Sequence, residues 1–470
     1  MANPGSTLQV SSPELLLPHW DATGPRRAQL EAGLREAIRA GRLRPGARLP
    51  SSRALAAELD VSRRLVVEVY EQLAAEGYVL ARRGSGTRVS PHVEGSRRAA
   101  ATLAPEPVPP PVAGIDLFPG APDLSLFPRR AWGRSLRRAL AQLPDARLSY
   151  GELAGTTELR LALAEHLGRV RAAAAEPDRI VVTAGYQQGL RIFCQLVRAR
   201  GGRRIGVEDP GYPIAAWTIE SERLEVVPVP IDDDGIDVAA LERAAPDAVV
   251  VTPAHALPIG AVLAPQRRSR LVAWARDSGA LVLEDDYDAE LRYDRGPAGA
   301  VQGLAPDVVV LAGTASKTLA PALRLGWLLL PGDLVPLATT SRAACDGGGP
   351  RIEEWALADL IASGAFDRHV RAARQRYRTK RGVLLEALGA ALPDARVRGI
   401  AAGLHIVLEL PPGAEEATVI AYCERAGVHV YSLAAFTRTH AQPPGLVLGY
   451  GLAGEHQLRE AVAAIAAAVA

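Results

Sequence analysis

The chain of 470 residues contains very little lysine and cysteine. Of its 54 basic residues only two are lysines, Lys317 and Lys380, and the others are arginines. Its three cysteines have neither a disulfide framework nor metal-site spacing, so we expect no metal centre and a reducing, cytoplasmic location. No apolar run reaches the roughly 20 residues that a membrane-spanning helix requires, which predicts no membrane association.

The charge that is present is unevenly distributed. The whole chain has a net charge of +2, whereas residues 1–90 contain 13 arginines and 9 acidic residues, a local net charge of +4. A proline-rich stretch, Pro105-Glu-Pro-Val-Pro-Pro-Pro111, follows this basic segment and is typical of an extended, semi-rigid spacer. We therefore predict a basic domain over 1–90, a linker over 91–114 and a large domain over 115–470.

The basic segment shows three helical patterns, over Pro25–Ala40, Arg53–Leu59 and Arg63–Glu76. A serine cap at Ser52 begins the second pattern, and a cap at Ser62 begins the third. Two helices around a short turn describe a helix-turn-helix. The residues that follow, with glycines between two short apolar runs, predict a two-stranded wing.

Arginines at helix starts and on a wing can contact DNA phosphates or base edges, which makes double-stranded DNA the expected partner. The alternative is a small helical domain with a solvated arginine face. The candidate DNA-binding residues are Arg53, Ser62, Arg63, Arg64, Arg82, Arg83, Gly84 and Gly86.

The large domain alternates apolar runs with amphipathic helical segments. Runs buried on both faces and separated by helices predict an α/β fold with a mostly parallel sheet. Such runs are Arg179–Thr183, Ala248–Thr252, Ala280–Glu284 and Val308–Ala312.

Functional side chains follow several of these runs. Pyridoxal phosphate needs an amine for its aldehyde, an acid for its ring nitrogen, a phosphate cradle and a face to stack on. Lys317 is the candidate amine and can form a Schiff base, which an arginine cannot. Asp285 can pair with the ring nitrogen, and Tyr287 can reach the phenolic oxygen. A surface lysine and a solvated acidic loop are the alternatives.

Other residues complete this hypothetical site. Gly185, Tyr186 and Gln187 open a helix after a strand, where backbone N–H groups can bind phosphate. Phosphate contacts are also expected from Arg324, Ser316 and Thr314. Tyr212 can stack on the cofactor and His255 can hold its phenolic oxygen. The alternatives are an ordinary turn tyrosine and a strand-end loop histidine with no ligand.

Two stretches resemble known families. Residues from Gly41 to Thr87 resemble the GntR-type winged helix-turn-helix, through Gly41-Arg-Leu-Arg-Pro-Gly46 and Glu76-Gly-Tyr78. Residues 115–470 resemble the fold-type I aminotransferase domain of the MocR subfamily of GntR regulators, through Glu208-Asp-Pro-Gly-Tyr212 and Gly313-Thr-Ala-Ser-Lys-Thr-Leu-Ala-Pro321.

The resemblance implies an α/β domain with a mostly parallel sheet, a smaller C-terminal subdomain, bound pyridoxal phosphate and a homodimer. In such dimers a tyrosine at the position of Tyr150 reaches the phosphate of the neighbouring subunit. Val447 stands where many aminotransferases have the arginine that binds the substrate carboxylate, so ordinary transamination is in doubt.

These observations predict a transcription regulator that senses pyridoxal phosphate or an amine or amino-acid ligand. Residual transaminase activity is left open. The alternative is a working aminotransferase with an appended DNA-binding module. A third interpretation, regulation without the cofactor, conflicts with the presence of Lys317, Asp285 and Arg324.

Overall fold

A computed structural model describes residues 24–82, 86–93, 114–294, 296, 298–440 and 442–469. The chain divides into two compact units, residues 1–110 and 111–470. Arg83 and Gly84, which were predicted to contact DNA from the wing tip, lie outside the described residues, as does most of the predicted linker. Among the described residues, no helix is both long enough and apolar enough to cross a membrane.

The first unit is a three-helix fold with a two-stranded wing. Its helices are α1 (Arg26–Arg39), α2 (Ser52–Glu58) and α3 (Arg63–Ala75). Its antiparallel strands are β1 (Val79–Arg82) and β2 (Gly86–Val89). Leu30, Leu34 and Ile38 recur on one face of α1 and are at most 1% exposed, so this face forms part of the core of the unit.

The caps of the two helices in the helix-turn-helix were predicted with different accuracy. The Ser62 side chain accepts a hydrogen bond from the Leu65 N–H at 3.2 Å and begins α3, as expected. The cap of α2 is Ser51 rather than Ser52, and its side chain accepts from the Ala54 N–H at 3.1 Å. Ser51 has extended backbone angles, whereas Ser52 is already helical, so only Ser51 can cap.

The second unit contains a short strand, β3 (Ile115–Asp116), and an eight-stranded sheet. The strands of the sheet are β4 (Ile180–Thr183), β5 (Arg204–Asp209), β6 (Glu225–Asp232), β7 (Gly235–Ile236), β8 (Ala248–Val251), β9 (Leu281–Asp286), β10 (Val309–Thr314) and β11 (Gly326–Leu329).

These strands lie in the order β4-β11-β10-β9-β8-β5-β6-β7. The neighbouring strands from β10 to β6 are parallel, whereas β11 is antiparallel to both of its neighbours and β7 is antiparallel to β6. The sheet is therefore mostly parallel, as predicted.

Helices cover both faces of this sheet. Successive side chains of a strand point to opposite faces, and here apolar side chains on both faces are buried against helices. Ile180 and Val182 pack in one buried cluster with Leu163, whereas Val181 packs in another with Leu190. The helices of the large sheet region are α4 (Arg129–Gln142), α5 (Thr157–Arg171), α6 (Tyr186–Ala199), α7 (Pro213–Ser221), α8 (Val238–Ala244), α9 (Pro265–Ser278), α10 (Val335–Asp346) and α11 (Arg351–Ala362).

The remaining elements form a smaller subdomain with its own apolar core. Its helices are α12 (Ala365–Ala391), α13 (Glu416–Arg425) and α14 (Glu455–Val469). Its strands are β12 (Arg396–Arg398), β13 (His405–Glu409), β14 (Val428–His429), β15 (Tyr431–Ser432) and β16 (Gly445–Gly449). Four of these strands form a sheet in the order β12-β13-β16-β15, and β14 pairs separately with β3. Because β3 pairs with β14, the segment that follows the linker is held against this subdomain.

Candidate functional site

The carboxyl ends of the parallel strands define one edge of the large sheet. Loops that follow β4, β5, β8, β9 and β10 meet there, as is usual for sites in α/β proteins. Strand β11 runs in the opposite direction, so its beginning lies at the same edge and brings Arg324 to it. These loops surround a pocket of about 440 Å³.

Most of the predicted cofactor residues line this pocket. They are Tyr186, Gln187, Tyr212, Asp285, Tyr287, Thr314, Ser316, Lys317 and Arg324. Three others, Gly185, His255 and Tyr150, are not among the lining residues.

Lys317 follows β10 and is half-buried in the pocket. Its Nζ donates a hydrogen bond to the carbonyl oxygen of Gly120 at 2.7 Å. Burial lowers the pKa of the Lys317 ammonium, although the carboxylates of Asp288 and Asp285 oppose the shift. A lowered pKa increases the fraction of neutral amine, which is the form that attacks an aldehyde.

Asp285, near the end of β9, is a buried carboxyl group with an incomplete set of partners. Its Oδ1 has no hydrogen-bond partner among the described residues. Burial raises the pKa of Asp285 well above its ordinary value, and the neighbouring Asp286 and Asp288 add to the shift. A buried carboxyl oxygen without a hydrogen bond costs stability, so a cationic or N–H group of a ligand is the expected partner of Oδ1.

Gly185 and Arg324 form a candidate phosphate cradle at the start of α6. Gly185 has a φ of +87°, which favours glycine, and precedes the first residue of that helix. A Cβ atom at Gly185 would lie 3.7 Å from the Arg324 guanidinium, so a side chain would occupy the space between them. The space beside a helix N-terminus and an arginine suits a phosphate group.

Tyr287 and His255 form a hydrogen-bonded group at the pocket wall. The Tyr287 hydroxyl donates to the His255 carbonyl oxygen at 3.0 Å. His255 Nδ1 lies 2.8 Å from Asp288 Oδ2, and the histidine is 1% exposed. Tyr287 lines the pocket, whereas the buried His255 does not. A direct contact of His255 with the cofactor therefore stays a prediction.

Two further residues lie away from the pocket of this chain. Tyr150 is 98% exposed, which leaves its side chain available to another subunit. Val447 is fully buried, pairs with Val407 and Tyr431 in the smaller sheet, and packs with Leu433. Val447 therefore offers no polar group to a ligand.

The pocket also contains residues that the sequence analysis did not identify as ligand contacts. Glu208 accepts a hydrogen bond from the Thr252 N–H at 3.0 Å, and burial raises its pKa to about 7. Phe118 and Phe436 add apolar walls. Glu208 is the last residue but one of β5. Its place near the carboxyl end of a parallel strand is the sequence feature that could have identified it as a pocket residue.

The first unit presents three of its predicted contact residues to solvent. Arg53, Arg63 and Arg64 are exposed at the starts of α2 and α3. The Arg63 Nε lies 3.4 Å from the Ser52 hydroxyl, which links the two helices. Arg64 pairs with Glu68 at 2.9 Å, so its charge is already partly balanced.

Known families match both units. Residues 26–89 match "Bacterial regulatory proteins, gntR family", and residues 120–448 match "Aminotransferase class I and II". The first match makes the N-terminal unit a DNA-binding helix-turn-helix domain. The second implies pyridoxal phosphate as the cofactor, and the donor set of the pocket fits it.

Curated relatives align with both units over nearly their whole length. The "HTH-type pyridoxine biosynthesis transcriptional regulator PdxR" of Corynebacterium glutamicum is 36% identical over 97% of this chain and 98% of the relative. The "Probable rhizopine catabolism regulatory protein MocR" of Rhizobium meliloti is 30% identical over 94% and 93%.

Solved aminotransferases share the fold of the second unit. An archaeal alanine:glyoxylate aminotransferase matches with a TM-score of 0.71 and 25% identity over 76% of this chain and 91% of that one. The Pyrococcus horikoshii kynurenine aminotransferase, at 24% identity over 76% and 91%, has a TM-score of 0.70. Since the helix-turn-helix, the aminotransferase-like domain and the near full-length relatives all agree, the chain belongs to the MocR-type GntR transcription regulators.

Proposed function

We propose that the protein senses pyridoxal phosphate through Lys317 and adjusts its DNA binding accordingly. The observation that carries the proposal is the hydrogen bond from Lys317 Nζ to the Gly120 carbonyl oxygen, 2.7 Å long. Gly120 follows strand β3, and β3 follows the predicted linker to the DNA-binding unit. Bonding of Lys317 to the cofactor aldehyde, with loss of water, would remove at least two of its three ammonium protons, so this hydrogen bond would change when the cofactor binds.

Pyridoxal phosphate supplies an aldehyde that bonds to a lysine amine and a pyridine ring that withdraws electrons. Lys317 would hold the aldehyde carbon, because burial favours its neutral amine. Asp285 would accept the N–H of the ring nitrogen and so acquire the partner that its Oδ1 lacks among the described residues. Arg324, Ser316 and the start of α6 would hold the phosphate.

The pocket favours the cofactor itself as the regulatory ligand. Lys317 and Arg324 are the only cationic residues among the described residues that line it. Both are assigned to the cofactor, and Val447 supplies no cation for an amino-acid carboxylate. The name of the Corynebacterium glutamicum relative, a regulator of pyridoxine biosynthesis, points to the same ligand.

A homodimer in the cytoplasm completes the proposal. Tyr150 is 98% exposed and Leu148, two residues before it in the chain, is 60% exposed, so two large side chains are available for contact with a second copy. Tyr150 would then contact the phosphate bound by the partner.

The decisive experiment measures operator affinity of the full chain with and without pyridoxal phosphate. We expect the cofactor to change DNA affinity by about 5–150-fold, and DNA to change cofactor affinity by the same factor. Lys317→Arg keeps the positive charge but cannot bond to the aldehyde, so its DNA affinity should not respond. Rapid turnover of amino donors, with DNA binding indifferent to the cofactor, would favour the aminotransferase alternative.

A second prediction concerns the exposed arginines of the helix-turn-helix. Arg63→Ala should weaken DNA binding because α3 presents this side chain at its start, and a base-contacting arginine contributes about 1–3 kcal/mol at one position. Arg64→Ala should weaken it less, since Glu68 already pairs with Arg64. Fluorescence anisotropy at several salt concentrations measures both. Equal, unchanged affinities would refute the assignment of α3 as the recognition helix.

A further inference from the structure

We propose that a second pocket, outside the cofactor site, binds a small phosphate-bearing anion. This pocket has a volume of about 270 Å³ and lies between α12 and the segment after β9. Its arginines are Arg292, Arg371, Arg374 and Arg378, and Asp294 is the one carboxylate among its described lining residues. None of these residues lines the cofactor pocket.

Helical geometry places three of the arginines together. Arg371, Arg374 and Arg378 are spaced i, i+3 and i+7 along α12, so they share one face of the helix. Burial lowers the pKa of Arg374 and the charge of Arg371 adds to this shift, whereas the nearby carboxylates of Glu290 and Asp367 oppose it. Like charges at this spacing on one helix face repel each other, and an anion bound between them would offset the repulsion.

Arg292 adds a buried donor at the same place. Its side chain is only 5% exposed, and its Nε and Nη2 donate to the Asp294 carboxylate at 2.8 and 3.2 Å. Its Nη1 is buried and has no hydrogen-bond partner among the described residues. An unsatisfied buried donor is costly, so an acceptor is expected at this position when the protein functions.

The excess of positive charge in the cluster favours a multiply charged anion such as phosphate. Guanidinium groups bind phosphate oxygens, as they do carboxylates, with paired hydrogen bonds, and the described lining residues include four arginines and one carboxylate. The arginines line an open pocket of limited volume, which suits a compact anion better than the extended backbone of duplex DNA. A small phosphate compound is therefore the favoured ligand.

The test titrates inorganic phosphate into the full chain by calorimetry, with chloride holding the ionic strength constant. The chain is first loaded with pyridoxal phosphate, so that the cofactor occupies the cradle at Arg324. We expect saturable binding that Arg371→Gln and Arg378→Gln each weaken by about tenfold or more. Both arginines are exposed, so these variants should fold normally.

Arg376→Gln is the matched control. Arg376 lies on the same helix but pairs with Glu455 at 2.7 Å and does not line the pocket. Failure of phosphate to saturate the wild-type protein, or an equal loss of affinity in Arg376→Gln, would overturn the proposal. If phosphate does not saturate but Arg371→Gln and Arg378→Gln weaken operator binding, the arginines contact the DNA backbone and the small-anion site does not exist.

Discussion

Replacing Lys317 by alanine should abolish covalent attachment of pyridoxal phosphate. Borohydride reduction fixes a cofactor that is bonded to a lysine, and peptide mapping then locates the label. In the wild-type protein the label should be on Lys317, whereas Lys317→Ala and Lys317→Arg should carry none. Lys317→Ala should also bind the cofactor about 100-fold more weakly or worse, a loss of about 3 kcal/mol, because only non-covalent contacts remain.

Lys380 provides an internal control for this experiment. It is 1% exposed, and its Nζ donates to Asp123 and to the Gly451 carbonyl oxygen at 2.8 and 2.7 Å. An amine held in this way cannot reach a cofactor in the pocket. Label on Lys380, or full labelling of Lys317→Ala, would contradict the assignment.

Replacing Asp285 by asparagine should have opposite effects on cofactor affinity and on the stability of the cofactor-free protein. Loss of a buried charged partner costs about 3–5 kcal/mol, so we expect cofactor affinity to fall by about 100-fold or more. Absorbance titration with pyridoxal phosphate measures this loss. An unchanged affinity would assign the acidic partner of the ring to another residue.

The stability effect follows from the raised pKa of Asp285 in the folded, cofactor-free protein. An acid whose folded pKa lies above its unfolded value binds more protons when folded. Its contribution to stability is fully present below the unfolded pKa and is lost as pH rises through the folded pKa. Asp285→Asn cannot ionise, so without cofactor it should be the more stable protein at alkaline pH. Urea unfolding at acidic and alkaline pH checks the sign.

The positions of most cofactor-site residues follow from local patterns. Gly185 follows the end of β4, Lys317 follows the end of β10, and Asp285 is the last residue but one of β9. Because these strands run in the same direction, their carboxyl ends bring all three residues to one edge of the sheet. Arg324 is near them because β11 reverses direction, which the apolar pattern of a strand cannot reveal. Sequence alone therefore indicates which strand ends meet at this edge, but not the reversal of chain direction that brings Arg324 to it.

Contacts between distant segments could not be predicted in the same way. Gly120 and Lys317 are 197 positions apart, and their hydrogen bond depends on how β3 and the smaller subdomain pack. The raised pKa of Glu208 depends on burial by residues that are distant in the sequence. The cap of α2 is Ser51 and not the expected Ser52. Two adjacent serines can each cap a helix, and only the backbone angles show which of them does.

The burial of Lys380 has a consequence for selectivity in the cell. Pyridoxal phosphate is a reactive aldehyde, and exposed lysines on ordinary proteins compete for it without any specific site. This chain has two lysines, one in the pocket and one locked in an ion pair, so its surface offers no competing lysine. Lysine side chains outside the pocket should therefore add no background of non-specific aldehyde adducts to the binding of the cofactor at Lys317.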